Sequence, residues 1–318
     1  MAKQATYRYE KLSWPEIDKA AVDGKVVIIP AATLEDHGRH LPVDTDVVLA
    51  EGVCHAAAQL IPDEVLVLPP ITHGYSPHHI DFPGTITIDW KTFVDYVLDV
   101  TRSLVHHGFR KILLVNGHGS NRPVLDMAAR LTVIEHPYAH CGALSWWELT
   151  KVREVFATLR ESEWVAHACE LETSVYLALD PDNVEMERAE KDTSFNKGPH
   201  FWSDLAGAPP LGYRNAVGLT EFWSTVTRDG VKGDPTVATA EKGRALLAAA
   251  ADELVAIVRE FRARPIERRV AHQSVRPPLE PYFKDRYGSG GPHDAGADAG
   301  AADAGADSNQ NEQKGVTP

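Results

Sequence analysis

Short apolar runs alternating with helix-length segments constrain this chain more than any other feature. Lys25–Pro30 (KVVIIP), Val65–Pro69 (VLVLP) and Lys111–Gly117 (KILLVNG) are too short for core helices and are rich in Val and Ile. Each reads as a strand buried on both faces, because its apolar residues run on without polar alternation. Between them, Asp46–Leu60 carries apolar residues at helical spacing and stops at Pro62; Asp89–Val105 is a long amphipathic helix closed by Gly108. A helix follows over Asn121–Glu135, a fourth strand over Ala139–Trp146, a helix over Glu172–Leu179 and a helical run over Val237–Arg262. Strand–helix alternation of this kind implies an α/β fold whose mostly parallel sheet is covered on both faces. Right-handed crossovers then place the loops after the strands along one sheet edge, where such proteins assemble their sites.

At 318 residues, 43% of them hydrophobic, the chain can bury a large core. The pattern ends near residue 265. Pro265, Pro277, Pro278 and Pro281 mark an extended segment over 266–287. From Gly288 the chain is rich in Gly, Ala and Asp, with one Val as its largest apolar residue; it is expected to be disordered because burial cannot offset its ordering entropy. The folded domain is therefore expected over 1–265.

The net charge of −13, with no Lys/Arg cluster, argues against nucleic acid as a partner. Cys54, Cys141 and Cys169 form neither a disulfide framework nor a C-x-x-C knuckle, and no stretch resembles a signal peptide or a membrane span, so a cytoplasmic protein is expected.

Three polar clusters directly follow predicted strands. The first is E-D-H-G-R-H-L-P-V-D-T-D, Glu35 to Asp46, in which Glu35 and His37 alternate along an extended backbone and can face one way. The second is N-G-H-G-S-N, Asn116 to Asn121, where the glycines beside His118 would let the backbone turn tightly. The third, H-A-C-E-L-E-T-S, runs from His167 to Ser174 and offers Glu170 and Glu172. Carboxylates and imidazoles together suit Zn²⁺, Mn²⁺ or Fe²⁺. Plainer uses compete: Asp44 and Asp46 as helix caps, Glu172 as a first-turn acid favoured by the helix dipole, His118 as an ordinary loop histidine. Leu68–Thr85 is rich in Pro, Gly and His and lies at the same edge, so Tyr75, Ser76, His78 and His79 are candidate substrate contacts, as is Trp147. Phe222 and Trp223 are further pocket candidates, although large aromatics more often serve the core or a subunit contact.

In this order and spacing the three motifs resemble those of the creatininase family of amidohydrolases, with similarity from Lys25 to Pro181 and more weakly to about residue 260. The resemblance implies a three-layer α/β/α domain with a mostly parallel central sheet, a homo-oligomer (a hexamer) and two divalent ions per subunit. It implies Glu35 and His118 on one ion, His37 on the other, Asp46 bridging, and His167 near a small-molecule substrate as a candidate proton shuttle; Glu170, by its own chemistry, is a second candidate acid. One departure matters. Creatininase itself carries an acidic ligand two residues after the histidine of N-G-H, with Tyr between; here Gly119 and Ser120 stand there, so the second ion needs another anionic ligand, for which Glu172 of E-T-S is chosen. Its Trp–Asp pair ahead of the third motif is also missing, since Trp164 is offset and Val165 follows it. A small cyclic amide or formamide is thus the expected substrate rather than creatinine. Hydrolysis or lyase chemistry on an oxidised cyclitol or sugar-like ring ketone is the alternative, and non-catalytic metal binding a third reading.

Overall fold

The computed structural model describes residues 6–194, 198–202, 204–207, 211–212, 217–270 and 272. Four strands, β1 (Val26–Ala31), β2 (Val65–Val67), β3 (Lys111–Asn116) and β4 (His140–Ser145), form a fully parallel sheet in the order β2–β1–β3–β4. Helices α1 (Trp14–Val22), α2 (Thr45–Leu60), α3 (Trp90–His106) and α4 (Asn121–Glu135) alternate with these strands. Then come α5 (Thr150–Leu159), the short strand β5 (Val165–His167), α6 (Glu170–Leu179), α7 (Trp223–Val226), β6 (Lys232–Gly233) and α8 (Ala240–Ala263).

The side-chain period of two splits each apolar strand between two cores. Val26, Ile28, Val65, Val67, Leu113 and Val115 pack toward α2, α5, α6 and α8. Val27, Ile29, Leu66, Ile112 and Leu114 pack toward α1, α3 and α4. All six residues of β1 and of β3 are buried, so both faces of the sheet are covered and the result is the expected three-layer α/β/α sandwich. Burying each such aliphatic side chain contributes about 1.5–3 kcal/mol.

Pro30 in a central strand would ordinarily break the ladder. Here its carbonyl accepts from the Ile71 amide, and the N–H it lacks would face the same side, where β2 has already ended at Val67.

The expected elements are present with shifted ends. β2 stops at Val67, β4 gives way to a 3-10 turn at Trp146–Glu148, and α6 starts at Glu170 rather than Glu172. Helix α3 starts one residue late because Asp89 is its cap, accepting from the Lys91 and Thr92 amides. Not foreseen were α1, opened by a Ser13/Glu16 capping box, α5, and an antiparallel ribbon in which His167 of β5 faces Lys232 of β6.

The chain divides into a unit of residues 1–270 and one of 271–318. The expected tail over 288–318 lies outside the described residues, as does most of the extended segment over 266–287. Among the described residues, no helix is long and apolar enough to cross a membrane.

Candidate metal centre

The carboxyl ends of β1, β3 and β5 and the first turns of α2 and α6 meet in one cavity of about 320 Å³. Glu35 and His37 leave β1, His118 follows β3, Asp46 lies in the first turn of α2, and Glu172 in that of α6. All five are buried. The glycines around His118 act differently from the expectation. Neither Gly117 nor Gly119 takes a left-handed conformation. Gly117 is needed for close approach, since a Cβ there would lie 2.5 Å from the Asp46 carbonyl oxygen.

Asp46 sits between two histidines. Its Oδ1 is 3.3 Å from His37 Nε2 and its Oδ2 is 3.2 Å from His118 Nδ1. On the His118 side, Glu35 Oε1 lies 3.1 Å from the same Nδ1. Glu35, Asp46 and His118 form one group able to hold an ion, and His37, His167 and Glu172 form another. A third such group, Glu35, His79 and His167, overlaps both. Asp46 does not cap its helix; Asp44 holds the N-cap position, and its carboxylate accepts from the Tyr176 hydroxyl instead. Glu172 serves both expected uses at once. One carboxylate oxygen accepts from the Cys169 amide in a capping box, and the side chain also lines the cavity.

The electrostatics call for positive charge. Burial opposes charge on His118, yet Glu35 and Asp46 outweigh it and push the imidazole up to about 10. Burial likewise opposes charge on His37, and Asp46, ahead of Glu172 and Glu35, pushes it up to about 10. Burial would raise Asp46, but His37 and His118 hold it well below the usual range. Glu172 is pushed up to about 7, chiefly by burial. Buried carboxylates that draw protons onto neighbouring histidines are ones a cation would satisfy equally. Asp46 Oδ2, His37 Nε2 and His118 Nε2 are, moreover, buried without a hydrogen bond of good geometry. Mixed oxygen and imidazole donors of this kind fit a divalent ion.

Asp36 fixes two more rings. Its backbone carbonyl lies 2.7 Å from His167 Nε2 and its carboxylate 2.7 Å from His79 Nδ1. A carbonyl can only accept, so His167 Nε2 donates and the Nδ1 of the neutral ring carries a lone pair toward Glu35, 3.8 Å away, while His79 Nε2 lies 3.7 Å from the same carboxylate. Burial, reinforced by His37, holds His167 well below an ordinary histidine. Ala168, next to it, is left-handed at φ 48°, the only non-glycine so placed among the described residues.

Other candidates divide. Trp147, His78 and His79 line the cavity. Ser76 does not; its hydroxyl donates to Glu35 and so orients a candidate ligand. Tyr75 packs into the core beside α3 and α4, away from the cavity. Glu170 also points elsewhere, into a fully buried nest made by the Ser162 amide and hydroxyl, the Glu161 amide and Lys242 Nζ. Burial raises its pKa, but Lys242 and Ser162 outweigh that and hold it below the usual carboxylate range, and it does not line the cavity where an acid was expected. Ser120, standing where the family acid was missing, bonds His78 Nε2 at 3.1 Å.

Trp223 and Lys232 complete the wall. Trp223 stacks on His79 with centroids 4.5 Å apart and meets His167 edge-on. Lys232, whose Nζ lies 4.6 Å from the Trp223 ring centroid, was missed because its ribbon partner is far away in sequence.

Comparison with known proteins agrees with this geometry. The family model for creatininase, described as creatinine amidohydrolase, matches residues 10–258. A creatinine amidohydrolase of Pseudomonas putida is 32% identical over 193 residues, covering 56% of this chain and 74% of that protein. A 3-dehydro-scyllo-inosose hydrolase of Thermotoga maritima is 29% identical over 264 residues, covering 80% and 84% respectively. Two solved creatininase structures, a Mn form and a mutant of Zn–Zn type, each share 27% identity with this chain and superpose with a TM-score of 0.68. Both cover 81% of this chain; it covers 100% of the Mn form and 99% of the mutant.

Proposed function

The chain belongs to the creatininase family of metal-dependent hydrolases, and on that premise we propose that it uses two divalent ions to hydrolyse a C–N bond of a small cyclic amide or formamide. The observation that carries the reading is Asp46, whose two oxygens face His37 and His118 at near-equal distances. In this reading Glu35, Asp46 and His118 hold one ion; His37, Asp46 and Glu172 hold the other. Zn²⁺, Mn²⁺ and Fe²⁺ all suit these donors. A bound pair held by these residues would supply a nucleophilic water near neutral pH and stabilisation of charge on a carbonyl oxygen.

The chain's own groups do the rest. Ser76 holds Glu35 by a hydrogen bond, and the capping box holds Glu172, so the ligand set is rigid before a substrate arrives. His167, its Nε2 proton engaged by the Asp36 carbonyl, keeps Nδ1 free to take a proton and pass it to the leaving nitrogen. Trp223 and Trp147 exclude water from the substrate side of the cavity.

A second reading has one observation in its favour. The Thermotoga maritima relative, a hydrolase of a ring ketone by its name, aligns over more of this chain than the creatinine amidohydrolase does. The same residues would then act on a C–C bond beside a carbonyl.

Metal per subunit and turnover of a panel of cyclic amides, formamides and ring ketones test both. Two ions with ring opening of a cyclic amide to its amino or ureido acid, or with release of formate and an amine from a formamide, supports the first reading. Turnover of the ketones alone would transfer the case to the second, and a metal-free protein retaining full activity would end both.

A further inference from the structure

Strand β4 is an open edge of the parallel sheet, and its two sides can be told apart residue by residue. The His140 amide donates to the Arg110 carbonyl, so the backbone groups of His140 face β3. Backbone direction alternates along a strand, so Gly142 and Leu144 face β3 as well, while Cys141, Ala143 and Ser145 turn their N–H and C=O groups outward. No backbone group among the described residues bonds to them there. Ser145 is buried, whereas Ala143 is exposed and Cys141 half-buried. The opposite edge is covered: the Val67 amide of β2 donates to the Tyr7 carbonyl, and Arg8 pairs with Val67.

Edges that must stay single are blunted by Lys, Pro, a bulge or a covering segment. Among the described residues β4 has none of these, and its register with β3 runs unbroken from His140 to Ser145. Its surroundings suit a second copy of the chain. With a net charge of −13, two copies repel unless the contact itself is balanced. A groove of about 400 Å³ beside the end of β4 is lined by Arg122, Asp126 and Glu148, and each acid there has an arginine. Glu148 pairs with Arg122, and Asp126 with Arg130. A twofold contact sets one patch against its own copy, so a balanced patch is self-complementary.

We propose that β4 is the seam of a twofold dimer, pairing antiparallel with β4 of a second copy and joining two four-stranded sheets into one. The outward groups fix the register. Cys141 exchanges both backbone bonds with Ala143 of the second copy, and the reverse, which sets Gly142 opposite Gly142 on the axis. A pair of that kind, not bonded to each other, brings its Cα atoms to about 4.5 Å, and glycine has no side chain to resist the approach. Centring the pairing on Ala143 instead would require Ser145, which is buried, to bond Cys141 of the second copy. No residue of β4 lines the metal-ligand cavity, so the seam stands whichever bond is hydrolysed.

Disulfide trapping of the full-length, metal-loaded protein tests the seam. Gly142 is not left-handed, and a Cβ there meets only Leu113 Cδ1, at 3.8 Å, so Gly142→Cys is tolerated. A Cα separation of about 4.5 Å lies within disulfide reach. Mild oxidation with diamide should link Gly142→Cys to its copy, read as a dimer on a non-reducing gel. The exposed Trp14→Cys, outside β4, reports random collision. A preformed contact should link at least about tenfold faster than that control, because it replaces collision by a high effective concentration. Ala143→Pro removes one outward donor from each copy, and an edge strand tolerates proline where the N–H faces away from the sheet. In sedimentation velocity it should dissociate to half the wild-type mass at a concentration at least about tenfold higher than wild type does, with metal content unchanged. If Ala143→Pro does not fold, the cross-linking alone decides. A monomeric wild type, which would leave the edge to another occupant, overturns the seam. So does Gly142→Cys linking no faster than Trp14→Cys, or a folded Ala143→Pro that associates like wild type.

Discussion

Glu170 sits one residue after the motif's Cys169, where a catalytic acid is easily imagined, yet the fold makes it a structural anchor. Its carboxylate is fully buried and takes four donors, with Lys242 Nζ 2.6 Å from Oε1. Replacing Lys242 with Met removes the one positive partner. Breaking a buried ion pair from one side costs about 3–5 kcal/mol. Because the Ser162 hydroxyl and two amides still solvate the carboxylate, we expect about 2–3 kcal/mol, a sizeable part of the roughly 5–15 kcal/mol that holds a domain folded. Glu170→Gln/Lys242→Met should cost clearly less than the sum of the two single changes, since neither charge is then stranded. Urea unfolding followed by circular dichroism measures all three. The sign of the pH dependence follows from the shift: the folded Glu170 pKa is lowered, so its stabilisation is present above the unfolded value of about 4.3 and is lost as pH falls through the folded value. Glu170→Gln should therefore flatten stability against pH in that acid range. Metal content and specific activity of the folded fraction should survive. A Lys242→Met variant losing less than about 1 kcal/mol, or a stable Glu170→Gln protein with full metal and no activity, would refute the assignment.

Glu172→Gln should lower bound metal from two ions per subunit to about one by atomic absorption, and two ions in both proteins would mean that Glu172 is only a cap. His167→Ala should keep its metal but lose at least about a hundredfold in turnover, the usual contribution of a proton-transferring side chain; an unchanged rate removes it from the mechanism. Ala168→Gly should relieve about 1–2 kcal/mol of left-handed strain while the unfolded chain gains about 0.4–1 kcal/mol of entropy, leaving a slightly higher melting temperature. A lower melting temperature would show that Ala168 is not strained.

What was legible in the sequence is what local chemistry determines. The runs around Ile28, Leu66 and Leu113 announced a sheet buried on both sides, and strand ends followed by Glu35, His37 and His118 announced where the polar site lies. Boundaries moved where a single side chain decides the matter, as Asp89 does for α3. Glu170 misled because its partner, Lys242, lies in α8, and sequence distance hides an ion pair. Ser76 and Asp36 were obscured for a related reason. Their roles consist in holding other residues, Glu35 in one case and His79 and His167 in the other, and no local pattern marks a residue whose function is to orient a neighbour. The ribbon joining His167 to Lys232 was invisible because β6 is only two residues long.

That ribbon also separates two kinds of inheritance. The proposed metal-holding side chains all lie between Glu35 and Glu172, on loops fastened to the parallel sheet and its helices, while Leu219, Trp223, Val226 and Lys232 come from a later stretch that meets them through β6. Part of the cavity wall, with Trp147 as an exception, thus comes from a different segment of the chain than the proposed ligands. An insertion or exchange in the later stretch would reshape that wall without moving any of the proposed ligands.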